Sequence, residues 1–219
     1  MAFGGIETGL RALGIPDPSK ITSGIEREYG FSPNIEKFGP DTILDLEKRG
    51  WFVCTLTGKT PEKILNIRPT GMEINILDED RELLTLPSKL TQIAFAPIAP
   101  FLPKSNNMTL EYQRVYLEYF NSVVQKETPQ AKVIMPGVSD IVEAAHAYLV
   151  KTRKTIFHKR QGRNYTATST ESEDGLVMNV GGIMSRNCLL SINISHHSPE
   201  EPFKDVYLMP MLAPAGLEI

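Results

Sequence analysis

Pro136–Thr170 reads PGVSDIVEAAHAYLVKTRKTIFHKRQGRNYTATST, and two periodicities meet in it. Over its first half, Val138, Ile141, Val142, Ala145 and Leu149 recur at three- and four-residue spacing, which predicts a helix from about Asp140 to Val150. Pro136-Gly137 precedes it, Ser139 or Asp140 can cap it, and Glu143 falls in its first turn. His146 lies at the boundary of its apolar face. Beyond Val150 the pattern changes to strand. The predicted segments are Thr155–Lys159, Asn164–Thr170, Leu176–Val180, Cys188–Ser195 and Val206–Met209, with turns at Gly162, Gly175 and Gly181-Gly182.

The junction between the two patterns is strongly basic. Lys151, Arg153, Lys154, Lys159, Arg160 and Arg163 carry six positive charges beside His158, and no acidic residue falls between Glu143 and Glu171. The other residues hold 17 Lys+Arg against 26 Asp+Glu, a balance of −9, while the whole 219-residue chain stands at −3. That total excludes a generic polyanion binder and confines any such contact to one place. Hydrophobic content of 41% and charged content of 22% belong to a folded protein with a sizeable core, and exclude global disorder.

Upstream, Tyr112, Tyr116, Tyr119, Phe120 and Val123 predict a helix over 109–126, capped by Thr109, with the tyrosines in core or interface. Asp41 caps a predicted helix Thr42–Arg49 stopped by Gly50. Trp51–Gly58 reads as a buried strand, Pro61–Asn66 as one helical turn and Leu90–Ala96 as a further strand. Met72, Ile74 and Ile76, then Leu84 and Leu86, alternate around the acidic turn 78–81, which predicts an antiparallel hairpin. Residues 2–14 form a weak, glycine-interrupted helix.

The fold class expected is α+β: two main helices on a largely antiparallel C-terminal sheet, with a mixed N-terminal portion. It forms one domain, 1–219, or two lobes, 1–96 and 108–219, joined by the proline-rich 97–107. No signal peptide is read in residues 1–15, and no apolar run approaches the roughly 20 residues of a membrane helix. The expected compartment is the cytoplasm or the interior of a virion.

Within the basic ribbon, 151–165, Gln161-Gly162 offers a turn that would bring Phe157 and Tyr165 together across a hairpin. Arg153, Lys154, Lys159, Arg160 and Arg163, with His158, would then meet phosphates while the two aromatics stack on bases. The same cations would dock on an acidic partner surface, and lysines on a sheet edge also serve simply to block unwanted pairing.

Other motifs carry less. Gly58-Lys59-Thr60 lacks the earlier glycine of a phosphate-binding loop, since Val53 stands there. His196 and His197, with Glu200, Glu201 and Asp205, would share a metal only from an irregular loop, because adjacent strand residues face opposite sides. Cys54 and Cys188 read as buried thiols. Neither a metal nor a cofactor is predicted. The chain reads as a non-enzymatic binding or assembly protein. It self-associates through apolar surfaces such as the N-terminal helix and the tail LMPMLAPAGLEI, and it touches nucleic acid or an acidic partner through the ribbon. Those traits fit a viral or phage structural component. The competing expectation is a hydrolase or metal-dependent enzyme with its site near Cys188, His196 and His197.

Overall fold

A computed structural model describes residues 37–67, 72–157, 165–182 and 190–216. Its elements follow in the order α1 Pro40–Lys48, β1 Phe52–Thr55, α2 Pro61–Ile67, β2 Met72–Asn75, a 3₁₀ helix Asp78–Thr85, β3 Gln92–Phe95, α3 Leu110–Glu127, β4 Ala131–Ile134, α4 Val138–Thr152, β5 Tyr165–Glu171, β6 Val177–Gly182, β7 Leu190–His197, β8 Val206–Tyr207 and β9 Met211–Pro214. They build two sheets. The first is four-stranded and antiparallel, in the order β1-β3-β9-β4. The second is five-stranded, in the order β2-β7-β6-β5-β8. In it an antiparallel β5-β6-β7 meander is flanked by two parallel edge strands. This is an α+β fold.

Helix α4 sits between the sheets. Ile141, Val142, Ala145 and Leu149 share one core with Ile93, Phe95 and Met211 of the first sheet and with Met178, Val180 and Ile192 of the second. A helix covered on two sides needs apolar residues around most of its circumference, and small Ala144 and Ala145 let both sheets approach. Helix α3 covers the other face of the first sheet, setting Leu117, Phe120 and Val123 against Val53, Ala94 and Leu212. Thr109 caps α3, its hydroxyl accepting the Tyr112 N–H at 3.5 Å.

Several expectations change. The hairpin over 72–86 does not form. β2 instead pairs in parallel with β7, Ile74 opposite Ile192, and 78–85 is a 3₁₀ helix. Three residues per turn put Asp80 and Leu83 on one buried side, a spacing that the short alternation at Leu84 and Leu86 concealed. Thr155–Phe157 is not a strand; the Thr155 hydroxyl accepts the Phe157 N–H at 3.1 Å and bends the backbone. The described part of the tail is buried as far as Pro214. Met211–Pro214 is an interior strand between β3 and β4, with all four residues buried. Of the tyrosine stripe, Tyr112 and Tyr119 are exposed and Tyr116 half-buried. Residues 97–107 pass over the body with Leu102 and Ser105 buried, Leu102 N–H donating to Leu208 O at 2.8 Å. Strands from both sides of that passage share the first sheet. The 2–14 helix lies outside the described residues.

Candidate functional site

The end of α4 carries the basic signal. Lys151, Arg153 and Lys154 are all exposed. Lys151 turns its ammonium back over the Phe52 ring, 5.1 Å from the centroid, a cation–π contact that fixes the side chain without neutralising it. Arg153 closes the helix at φ 60°, its N–H donating to Leu149 O at 2.8 Å. That left-handed position usually belongs to glycine, and an arginine occupies it at a cost of roughly 1 kcal/mol. Among the described residues no carboxylate pairs with Arg153 or Lys154. Elsewhere cations do find partners: Arg49 meets Asp45 at 2.9 Å and Arg114 meets Glu171 at 3.3 Å. Cations at a helix C-terminus also complement the macrodipole, so part of their presence is structural.

The remaining ribbon residues divide. His158, Lys159, Arg160 and Arg163 lie outside the described residues. Phe157, expected at the binding surface, is a core residue with 7% exposure. Its ring lies 6.3 Å from that of Phe101, and it packs so closely on Gly182 that a Cβ there would collide with it. Burial of a large aromatic is worth more than display of it, which is why an aromatic in a basic run gave the wrong reading. Tyr165 is half-buried at the start of β5, opposite Gly181 and Val206, and its hydroxyl accepts from Asn193 Nδ2 at 2.8 Å. It pairs with β6 and β8, not with 155–157.

Of the groups in the enzyme reading, the two histidines do not converge. His196 and His197 face opposite sides of β7. His196 Nδ1 donates to Asp80 Oδ2 at 3.1 Å, tying the 3₁₀ helix to the sheet. His197 Nδ1 lies 2.6 Å from Asn179 Nδ2, and Phe203 covers its ring at 4.9 Å. Burial holds the His197 imidazole below its ordinary pKa; neighbouring Glu201 partly offsets this and His196 adds to it. Glu79, Asp80 and His196 each bring one ligand atom within 4.8 Å of the others. Two carboxylates and an imidazole form a donor set that transition metals use, but Glu200, Glu201 and Asp205 are not in it. Burial above all pushes the Cys54 thiol up to about 12, so it stays protonated and unreactive at neutral pH. Cys188 lies outside the described residues.

Two acids on the inner side of α4 anchor the fold, where the sequence alone offers Asp140 only as a cap and Glu143 only as a first-turn acid; the cap position itself is Gly137. Glu143, only 3% exposed, accepts from Thr57 N–H (2.9 Å), Thr57 Oγ1 (2.7 Å), Lys59 N–H (3.3 Å) and Ser88 Oγ (2.5 Å). Asp140 accepts from Gly137, Lys89 and Leu90 N–H at 2.9–3.2 Å, while burial raises its pKa. The signal was available: carboxylates three residues apart beside apolar positions, on a helix too hydrophobic to have a solvated face. A cleft of about 550 Å³ opens beside Asp140, Ser169 and Thr170, but the Asp140 oxygens are already engaged. Gly58-Lys59-Thr60 therefore wraps a carboxylate of its own chain, which explains a glycine-lysine loop without a nucleotide.

No protein-family model, curated protein or solved structure matches this chain.

Proposed function

We propose that this protein is a non-enzymatic binding and assembly component. The basic end of α4 and the cationic segment after it contact a polyanionic partner, either nucleic acid or an acidic protein surface. The observation that carries this reading is the exposure of Lys151, Arg153 and Lys154, with Arg153 and Lys154 lacking any carboxylate partner among the described residues. The sequence then adds His158, Lys159, Arg160 and Arg163 within ten residues. A concentrated positive patch on an otherwise acidic body steers anionic partners to one place. Phe157 has no part in the contact, which rests on charge and not on base stacking.

Self-association belongs to the same reading. Tyr112, Val115 and Tyr119 are exposed at three- and four-residue spacing on the outer side of α3, and Ile98 is 84% exposed. Aromatic and aliphatic side chains left outside in this number suit subunit contacts. A structural component of a virus or phage particle combines these properties.

A mobility-shift titration with a single-stranded oligonucleotide, a DNA duplex and polyglutamate tests the polyanion contact. Wild-type protein binds at least one of the three at low salt, and Arg153→Glu/Lys154→Glu weakens that binding. Failure of all three to bind, or binding indifferent to the double change, refutes it. Light scattering on the same samples tests association, which a strict monomer at high concentration would contradict.

A further inference from the structure

Among the described residues β1 is the outer strand of the first sheet, and its outer edge forms the floor of a groove. Its pairing fixes which backbone groups are used. Leu56 N–H donates to Thr91 O at 2.9 Å, and the register sets Cys54 opposite Ile93 and Phe52 opposite Phe95. In an antiparallel pair every second residue bonds inward, so Phe52, Cys54 and Leu56 serve β3. Val53 and Thr55 then turn their N–H and C=O groups to the open side. Among the described residues neither has a backbone hydrogen-bond partner on that side.

The groove beside that edge measures about 350 Å³ and runs between α1 and α4. Ile43 and Glu47 line one wall, Ala147 and Lys151 the other. Phe52 and Cys54 turn toward α4, and Val53 turns to the opposite face with Trp51 and Ala94. A strand laid along β1 would therefore offer its side chains alternately to the two walls. The walls carry opposite charge: Glu47 and Lys151 are both exposed, and no ion pair joins either to a described residue.

We infer that this edge takes up an extended segment of another protein as an added strand. The segment carries an acidic and a basic residue next to each other, the acid meeting Lys151 and the base meeting Glu47. Open backbone groups supply affinity, and the charged walls supply selection and register. A second copy of β1 is the poorer occupant. Trp51–Gly58, WFVCTLTG, has no charged side chain to offer either wall. Lys151 is shared with the polyanion contact, whereas Arg153 and Lys154 take no part here, so Arg153→Glu/Lys154→Glu, which should leave the peptide preference intact, separates the two sites.

Two synthetic peptides of equal composition test it. Both are short valine- and threonine-rich segments with one Glu and one Lys. In the first these are adjacent, and in the second one residue separates them, which puts both on the same wall. Binding by fluorescence anisotropy should favour the adjacent peptide about fivefold, the worth of one or two partly exposed ion pairs. Lys151→Glu should abolish the preference. Glu47→Lys/Lys151→Glu should restore it, because sliding the strand by one residue exchanges the walls. In hydrogen exchange, the Val53 and Thr55 amides should be open in the free protein and protected by the adjacent peptide, with Cys54 and Leu56 protected throughout. No saturable binding, equal binding of the two peptides, or Val53 and Thr55 amides already protected in the free protein would overturn the proposal.

Discussion

Replacing Glu143 by alanine should cost this protein about 3 kcal/mol. The carboxylate is buried at 3% exposure and accepts four hydrogen bonds, which join the loop after β1 and the Ser88 turn to the middle of α4. Alanine strands the donors. Ser88 Oγ is buried, Lys59 N–H half-buried, and the Thr57 groups lie nearer to solvent. A buried donor left without an acceptor costs about 1–3 kcal/mol, and hydration of the Thr57 groups lowers their share toward zero. Loss of the Ser88 and Lys59 bonds therefore supplies about 2–4 kcal/mol. Relief from holding a buried charge offsets part of this, and the volume vacated adds some back. Glutamine keeps the shape but turns an NH₂ toward donors, so it should cost about 2 kcal/mol. Ser88→Ala removes one bond and should cost about 1 kcal/mol. Equilibrium urea denaturation reads all three, and a double-mutant cycle between Glu143→Ala and Ser88→Ala isolates the shared bond. A loss below about 1 kcal/mol for Glu143→Ala, with an unchanged m-value, would mean that water replaces the carboxylate and that it holds nothing together.

Three further outcomes are expected. Phe157→Ala should lose about 3–5 kcal/mol, while the milder Phe157→Leu should leave polyanion affinity within about twofold of wild type; a selective loss of binding would return Phe157 to the contact surface. Arg153→Gly relieves the left-handed cap and should raise stability by about 0.5–1 kcal/mol while weakening polyanion binding, so a variant that gains in urea and loses nothing in the mobility shift would contradict the role given to this side chain. The His197 pKa is lowered in the fold, so its contribution to stability is present above the ordinary histidine value of about 6.5 and is lost as pH falls through the folded value. His146, lowered chiefly by burial, acts in the same direction, and Asp140, raised by burial, in the opposite one. His197→Asn should flatten the fall in stability from pH 7 to pH 5 relative to wild type, and an identical slope would refute the assignment.

How far the sequence led depends on the range of the interaction involved. Helices α3 and α4 follow from apolar spacing within single segments, and Gly50, at φ 84°, ends α1 where its position suggested. Strands β1, β3, β6 and β7 follow from β-branched and apolar content. Partner choice is another matter. β2 pairs with a strand more than a hundred residues away, and nothing local marks Ile74 for Ile192. β9 was hidden by Pro210 and Pro214, which read as tail, although Pro214 only ends the ladder opposite Ala131. In the site, charge was legible because it adds up along the chain; Arg153 and Lys154 are where the composition put them. Exposure was not legible, since Phe157 among cations looks alike whether it stacks outward or fills the core. The groove at β1 was invisible for a related reason: an edge exists only once every other strand has found its neighbour.

The central claim, that an anionic partner is held by charges at the end of α4, is tested most directly by the salt dependence of binding. Log Kd for a single-stranded oligonucleotide should be measured against log salt concentration for wild type and for Arg153→Glu/Lys154→Glu. Each phosphate contact on a single strand contributes about 0.7 to the slope, so losing two should reduce its magnitude by about 1.4. With polyglutamate as the partner the slope should fall in the same direction. A double variant whose slope and low-salt affinity match those of wild type for every anionic partner would contradict the account.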